Sequence, residues 1–242
     1  MDRWPVAPAR RPDLITGMVD GVLLDWEGVL ADTGHARRDS LLGALADEGV
    51  RFDATAYDEC CLGLSVQEAA ASAVGAVADP TLLELVTLRA QRDFSARVSQ
   101  GFSLQPGAAT LLELAQPRAP IAIVTAARRL ETETALRLAG FLDACAAVVT
   151  ADEVRGEVPS PAQYQLALEH LARRRTVRRD HVVALVATRA AIRSARSAGV
   201  RTVAVGVPAH VAIEADAALS SLLGATLDDV AALVGLSAER HA

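Results

Sequence analysis

Short apolar runs alternate with amphipathic, helix-like segments along most of the chain. The runs are rich in Val, Ile, Leu and Ala throughout, which predicts strands that are buried on both faces of a sheet. The predicted strands span 18–25, 120–126, 146–151, 181–187 and 201–207. Apolar positions at helical spacing predict helices over 107–116, 128–139, 161–174, 189–198 and 227–234. This strand–helix rhythm predicts an α/β fold with a doubly wound parallel sheet.

Residues 35–103 interrupt the rhythm between the first and second predicted strands. The stretch has helical patterns throughout and is too long for a crossover that joins two parallel strands. It is predicted to be an inserted helical subdomain that closes over the carboxyl ends of the strands, where open α/β sheets bind ligands. The predicted domains are therefore a core of 1–34 and 104–242 and a helical cap of 35–103, joined by linkers near Thr33 and Leu104.

Composition and charge narrow the range of partners and locations. The chain has 242 residues and a formal net charge of −6, which disfavours nucleic acid or an anionic membrane as a partner. Its apolar runs fall short of the roughly 20 residues that span a bilayer, and the charged, proline-containing start disfavours a signal peptide. A cytoplasmic location is predicted. The three cysteines are too few and too unevenly spaced for a disulfide framework or a zinc site.

The segment "GVLLDWEGVLADTG", residues 21–34, leads an apolar strand directly into two carboxylates. Asp25 ends the strand, and Glu27 follows two positions later, ahead of Gly28. This pattern resembles the opening of a site that transfers phosphoryl groups. All 24 basic residues of the chain are arginine, so a lysine cannot contribute to such a site.

Four segments, by their order and spacing, resemble the haloacid dehalogenase-like superfamily, especially its phosphatase and phosphoglucomutase branch with a helical cap. They are "LLDWEGVLADT", "CLGLSVQEAAASAV", "IAIVTAARRLETETALRLAGFLDACAAVVTADEV" and "VVALVATRAAIRSARSAGVRTVAVGV". The resemblance extends from about Val19 to Val234. It implies the same α/β core with an inserted cap that the hydrophobic pattern predicts.

The resemblance implies roles for three residues. In such enzymes the first aspartate attacks phosphorus, and the acid two residues later protonates the leaving group and then activates water. These roles fall on Asp25 and Glu27. A hydroxyl at the end of the next core strand holds the phosphoryl group, and Thr125 matches it, with Ala126 beside it as a predicted ligand-binding position.

Two further motifs of the family are degenerate in this sequence. The lysine that precedes a "P.P" step falls on Val158 when the prolines are aligned, or on Glu157 when Gly156 is aligned. The acidic pair that helps to hold magnesium falls on Val186 and Ala187. The Mg²⁺ that the resemblance implies therefore lacks its anchoring carboxylates, and no bound cofactor is predicted.

Arginines are the remaining candidates for an anion site. Arg128 and Arg129 follow Thr125 at a predicted helix start, where backbone N–H groups already favour anions. Arg189 opens the helix that follows Ala187. An arginine binds phosphate strongly, but it does not organise a metal or a nucleophile as the lost groups would.

Two functions compete on this evidence. The first is a phosphatase-type protein with impaired or absent Mg²⁺-dependent activity, which binds a small phosphorylated or anionic metabolite or a protein partner. The alternative is an active phosphate-ester hydrolase that uses Asp25 as nucleophile and Glu27 as acid and base, with arginines in place of the lysine. A metal-independent dehalogenase ranks third, because the relatives that it resembles also keep a lysine. The sequence leaves substrate identity and oligomeric state open.

Overall fold

The computed structural model describes residues 19–75, 79–154 and 160–236. Their strands, in chain order, are β1 Gly21–Asp25, β2 Ala31–Asp32, β3 Ser103–Leu104, β4 Ile121–Val124, β5 Ala147–Val149, β6 Val182–Val186, β7 Arg201–Val205 and β8 Ala217–Leu219. Six of them form one sheet in the order β5-β4-β1-β6-β7-β8. Every neighbouring pair in this sheet is parallel, whereas β2 and β3 form a separate antiparallel pair.

The packing of β1 explains why a continuous apolar run forms the central strand. Val22 and Leu24 belong to one hydrophobic cluster, and Leu23 belongs to a second cluster. Successive side chains of a strand point to opposite faces of the sheet, so a strand that is covered on both sides needs apolar residues at every position. Burial of this surface is the dominant favourable term in folding. The predicted parallel α/β core is confirmed.

Helices cover both faces of the sheet. In chain order they are α1 Gly34–Asp47, α2 Ala54–Cys60, α3 Val66–Val74, α4 Pro80–Gln100, α5 Ala108–Ala115, α6 Arg129–Leu138, α7 Ala162–Ala172, α8 Arg189–Ser197, α9 Ala209–Ala212 and α10 Leu227–Leu233. Leu111 of α5 and Leu136 of α6 belong to the same cluster as Leu24. Ala167 of α7 and Ile192 of α8 belong to the cluster of Leu23 on the other face. This is the doubly wound arrangement that the strand–helix rhythm predicts.

Helices α1 to α4 form an insertion between β2 and β3 and have a hydrophobic cluster of their own. Leu45 of α1, Tyr57 of α2, Ala70 of α3 and Val86 of α4 are all buried in it. The antiparallel pair of β2 and β3 lies where the insertion leaves the core and rejoins it. The inserted helical cap is therefore confirmed, while the residue boundaries of the two predicted domains stay a prediction.

Strand β8 and the pairing of β2 with β3 are not part of the sequence-based prediction. These strands have only two or three residues each. A hydrophobic pattern needs about four or more residues before it indicates a strand. Across 19–75, 79–154 and 160–236, no helix combines the length and the apolar character that a membrane crossing requires.

Candidate active site

Three of the predicted site positions meet at one edge of the sheet. Asp25 ends β1 and is paired in register with Val124 of β4, while β6 lies on the other side of β1. Thr125 and Ala187 immediately follow β4 and β6. Because the three strands are parallel neighbours, Asp25, Thr125 and Ala187 share the edge of the sheet at which open α/β folds bind ligands.

Both carboxyl oxygens of Asp25 have hydrogen-bond donors within the protein. The backbone N–H of Ala187 donates to Oδ2 at 3.1 Å, and the hydroxyl of Tyr164 donates to Oδ1 at 3.4 Å. Burial, and to a smaller extent the nearby carboxylate of Glu27, raise the pKa of Asp25 from 3.8 to about 7 despite these two bonds. Burial and the neighbouring Asp25 also raise the pKa of Tyr164. Asp25 is therefore only partly ionised at neutral pH.

A tight turn follows β1 and brings the chain close to β6. The backbone N–H of Ala31 donates to the carbonyl of Trp26 at 2.9 Å, and Gly28 has a φ of 83°. A Cβ atom on residue 28 would lie 2.6 Å from the Cβ of Ala187. Glycine is therefore required at position 28 both by its left-handed backbone and by the closeness of the two strand ends.

Glu27 projects from this turn toward the start of the cap. Its Oε2 atom accepts hydrogen bonds from Nε of Arg37 at 2.7 Å and from Oγ1 of Thr33 at 3.2 Å. Thr33 directly precedes α1, and Arg37 lies in the first turns of that helix. The predicted acid and base residue is thus tied to the cap helix through one of its two oxygens.

Thr125 is buried at the end of β4 and is held by local hydrogen bonds. Its Oγ1 atom accepts from the backbone N–H of Ala127 at 3.1 Å, and its carbonyl accepts from the side-chain amide of Gln163 at 2.9 Å. Its own N–H donates to the carbonyl of Val149 at 3.0 Å. Because Oγ1 acts as an acceptor toward Ala127, the hydroxyl hydrogen can be donated to an anion.

Arg128 stands at the N-cap of α6 and contacts both core and cap. Its Nε atom is 3.1 Å from Oδ1 of Asp152, and its Nη1 atom is 3.3 Å from Oε1 of Gln91 on α4. It also lines the cavity between cap and core, as Ala126 does. Arg128 therefore lies at the cavity, and its role in ligand binding stays a prediction.

The other two predicted arginines have carboxylate partners elsewhere. Arg129 forms ion pairs at 2.6 Å with both Glu133 and Glu153, and it donates to a backbone carbonyl of β5. Arg189 is 2.7 Å from the carboxylate of Glu214. Neither arginine is among the described residues that line the cavity. Their predicted role in ligand binding has no support from this geometry.

The degenerate positions are apolar where the structure describes them. Val186 is fully buried in β6, and Ala187 follows it beside Asp25. Val158 and Glu157, the two candidates for the lysine position, lie outside the described residues. The neighbour of Asp25 on β6 is thus a methyl group and a backbone N–H in place of carboxylates.

Arg37 is a site residue that sequence reasoning missed. It is buried, its Nη1 atom is 3.8 Å from Oε2 of Glu131 on α6, and its guanidinium lies 3.9 Å from the ring centre of Phe94. Burial lowers the pKa of Arg37, but the carboxylates of Glu27 and Glu131 outweigh this effect and raise it overall. The available signal was its spacing: Arg37 follows Thr33 by one helical turn, which places it over the entrance to the cap.

A cavity of about 740 Å³ lies between the cap and the core. This volume is within the range of small-molecule sites, about 300 to 1,000 Å³. The cap contributes Arg37, Ser65, Glu68, Glu84, Thr87 and Gln91 to its lining. The core contributes Ala126, Arg128, Glu131, Asp152, Ser160 and Gln163. Asp25 and Glu27 are not among the described residues that line the cavity. Arg37 connects Glu27 to the cavity, because it lines the cavity and donates a hydrogen bond to Glu27.

The Mg²⁺ ion that the family implies prefers six oxygen ligands and usually takes one or two protein carboxylates. Within the part of the chain that the structure describes, no group of three or more His, Cys, Asp or Glu side chains is arranged to hold a metal ion. Oδ2 of Asp25 accepts a hydrogen bond from the backbone of Ala187. These residues do not fit a tightly bound magnesium ion.

This sheet edge, with an aspartate at the end of the central strand and a helical cap above it, defines a class of hydrolase. The family model described as "Haloacid dehalogenase-like hydrolase" matches residues 22–205. The chain belongs to this family, as the four sequence segments indicate. Its fold is of the phosphatase type.

Individual relatives share the fold at low sequence identity. The validoxylamine A 7'-phosphate phosphatase of Streptomyces hygroscopicus subsp. limoneus is 28% identical over 206 residues, which covers 83% of this chain and 92% of the relative. The crystal structure of CbbY from Rhodobacter sphaeroides in complex with phosphate matches with a TM-score of 0.74 and 24% identity, covering 88% of this chain and 99% of that one. The β-phosphoglucomutase of Clostridium difficile matches with a TM-score of 0.80 and 16% identity, covering 89% and 97%.

Proposed function

We propose that this protein binds a small phosphorylated or anionic ligand between its cap and core, and that its Mg²⁺-dependent hydrolysis is impaired or absent. The observation that carries the proposal is the end of β6, where the residue whose backbone N–H binds Asp25 is Ala187, which has no carboxylate. A carboxylate at this place would be needed to help hold the metal. Removing one group that stabilises developing charge typically costs about 3 to 4 kcal/mol in barrier height.

The protonation and the hydrogen bonds of Asp25 also support impaired turnover. Its pKa of about 7 leaves the carboxyl group partly protonated at neutral pH, and a protonated carboxyl group is a poor nucleophile. The hydroxyl of Tyr164 and the backbone of Ala187 already donate to its two oxygens. At neutral pH only the ionised fraction of Asp25 could attack phosphorus, and at least one of these hydrogen bonds would have to weaken.

Binding is supported by the groups around the cavity. Arg128 lies at the start of α6, near the hydroxyl of Thr125, and a guanidinium beside a helix N-terminus favours an anion. The described lining also contains more carboxylates than arginines: Glu68, Glu84, Glu131 and Asp152 against Arg37 and Arg128. The ligand is therefore expected to carry one anionic group and a larger polar, uncharged part.

The first experiment measures binding and turnover separately. Inorganic phosphate is titrated into the protein by calorimetry, and hydrolysis of p-nitrophenyl phosphate is followed in millimolar magnesium. We expect saturable phosphate binding, weakened about tenfold or more by Arg128→Ala, and no turnover above that of Asp25→Asn. Arg129→Ala is the matched control, because Arg129 pairs with Glu133 and Glu153 and should leave phosphate binding unchanged.

An active hydrolase is the second candidate. It is favoured by the arrangement of Glu27, which Thr33 and Arg37 hold beside the strand that carries Asp25. It is also favoured by the relative that is named for removing phosphate from validoxylamine A 7'-phosphate. Robust magnesium-dependent turnover in the unmodified protein, abolished by Asp25→Asn, would establish this candidate and overturn the first. A cytoplasmic location and a protein partner stay predictions.

A further inference from the structure

Two buried polar atoms at the junction of cap and core have no hydrogen-bond partner among the described residues. They are Nη2 of Arg37 and Oε2 of Glu131. The Arg37 side chain is 10% exposed and the Glu131 side chain is 7% exposed. A buried polar group without a partner is destabilising, and native proteins keep few of them. The pair therefore requires an explanation.

Both residues line the same cavity, and they meet where the cap packs on the core. Arg37 belongs to α1 of the cap and Glu131 to α6 of the core. Their closest atoms, Nη1 and Oε2, are 3.8 Å apart, which is too far for a direct hydrogen bond. The ion pair with Glu27 and the ring of Phe94 hold the guanidinium in its position. An unpaired donor of Arg37 and an unpaired acceptor of Glu131 thus belong to neighbouring buried side chains that both line the cavity.

The chemistry of this pair selects one kind of partner. A carboxylate or phosphate would bind Arg37 but would be repelled by Glu131, and an ammonium group would have the opposite conflict. A hydroxyl group satisfies both, because its oxygen accepts from Arg37 while its hydrogen is donated to Glu131. An oxygen about 2.8 Å from both Nη1 of Arg37 and Oε2 of Glu131 would lie beside the line that joins these two atoms.

We propose that Arg37 and Glu131 form a subsite that recognises a hydroxyl group of the ligand. The proposal rests on the proposed function and narrows the ligand to a hydroxylated phosphate ester. Sites built to hydrogen-bond a hydroxyl group discriminate strongly against analogues that lack it, because the buried polar groups are then left unpaired. Arg37 and Glu131 are accordingly specificity-determining residues.

The test compares ligands with and without hydroxyl groups. Dissociation constants are measured by calorimetry, without added metal, for inorganic phosphate, phenyl phosphate, glucose 1-phosphate, glucose 6-phosphate and myo-inositol 1-phosphate. We expect at least one hydroxylated ester to bind about tenfold or more tightly than phenyl phosphate. In Glu131→Met the ratio of the phenyl phosphate dissociation constant to that of the hydroxylated ester should fall to about one. Glu131→Gln should keep part of this ratio, because an amide oxygen still accepts a hydrogen bond.

The ratio is informative because the charge lost with Glu131 affects all the phosphates alike. Glu133→Met is the matched control: it lies on the same helix and outside the described cavity lining, and it should keep the full ratio. If phosphate and phenyl phosphate bind but no hydroxylated ester binds more tightly, or if the ratio survives in Glu131→Met, the subsite is wrong and the proposed function stands. If neither phosphate nor any ester binds, the proposed function and the subsite both fall.

Discussion

The carboxyl ends of β1 and β6 are neighbours in the same sheet, yet they present opposite kinds of side chain to the cleft. At the end of β1, Asp25 leads into a turn that holds Glu27 against Thr33 and Arg37. At the end of β6, Val186 is fully buried and Ala187 contributes a methyl group and a backbone N–H. An apolar residue at the end of β6 satisfies the sheet packing. The fold can therefore be kept when the chemistry of one side is lost.

The two sides also contact the cap in different ways. The β1 side is joined to α1 by the ion pair of Glu27 with Arg37. On the β6 side, the cap loop approaches so closely that a Cβ atom on Gly63 would lie 2.6 Å from Oγ1 of Thr188. One contact is electrostatic and the other is steric. Four predictions follow this contrast, in order of decreasing expected effect.

The ion pair on the β1 side should be the larger contributor to stability. Arg37→Met leaves Glu27 and the buried Glu131 without their cation, and breaking a buried pair in this way costs about 3 to 5 kcal/mol. The measurement is the free energy of unfolding in urea. Arg38→Met is the control, because its partner Asp39 is exposed and surface pairs contribute about 1 kcal/mol or less. Equal losses in the two variants would contradict an organising role for Arg37.

Restoring the carboxylate beside β6 and the lysine of the family should restore chemistry. Ala187→Asp alone is expected to recover magnesium binding, measured by calorimetry, with little gain in rate. Combined with Val158→Lys or Glu157→Lys, it should raise p-nitrophenyl phosphate hydrolysis by about 100- to 1,000-fold, the usual effect of one charge-stabilising group. The gain should exceed the sum of the single effects, because both groups act on the same phosphoryl charge.

Adding Asp25→Asn to the double variant tests whether the added hydrolysis depends on Asp25 at the end of β1. It should abolish the added turnover. Turnover that persists in the triple variant would mean that another residue acts as nucleophile and that the contrast between β1 and β6 has been misread.

The buried carboxyl group of Asp25 should make stability depend on pH. Its pKa is about 7 in the folded protein against an ordinary 3.8, so the folded state binds the proton more tightly than the unfolded state. Its contribution to stability is therefore largest below about pH 4 and is lost as pH rises to about 7. Each pKa unit corresponds to about 1.4 kcal/mol, so the shift from 3.8 to about 7 changes the free energy of unfolding by at most about 4 kcal/mol. Between about pH 5 and pH 8, Asp25→Asn should gain about 2.5 kcal/mol relative to the unmodified protein.

Asp228 provides the control of opposite sign. The hydrogen bond from Arg118 lowers the pKa of Asp228, so its contribution is present above the ordinary pKa and is lost as pH falls. Urea unfolding at several pH values measures the free energy of unfolding of Asp25→Asn and of the matching Asp228→Asn. A stability difference for Asp25→Asn that does not change with pH would show that this carboxyl group is ionised in the folded protein.

The steric contact on the β6 side should have the smallest effect of the four. Gly63→Ala places a methyl group against Thr188 at a residue with φ of 82°, and about 1 to 2 kcal/mol of stability should be lost. Gly49→Ala is the matched control, since Gly49 also has a positive φ but no atom within 4 Å of the added Cβ. The excess loss in Gly63→Ala, measured by urea unfolding, isolates the contact between cap and core. It should be insensitive to salt, because no charge takes part.

The sequence by itself determined the architecture and half of the site. Buried parallel strands need continuous apolar runs, so the predicted core strands agree with the observed ones to within a few residues. A residue at a strand end keeps its place whatever its side chain is. The position of Asp25 and the apolar character of Val186 and Ala187 could therefore be read from strand patterns and from the family's spacing.

The tertiary structure alone decided which charges face the cavity. Arg128, Arg129 and Arg189 are equivalent in sequence as cations at helix starts, but Arg129 and Arg189 have carboxylate partners away from the cavity. The unpaired atoms of Arg37 and Glu131 and the raised pKa of Asp25 follow from burial between elements far apart in the chain. Electrostatic energies depend on distance and on exclusion of water. Local sequence patterns contain neither quantity, because both are fixed only when the cap packs on the core.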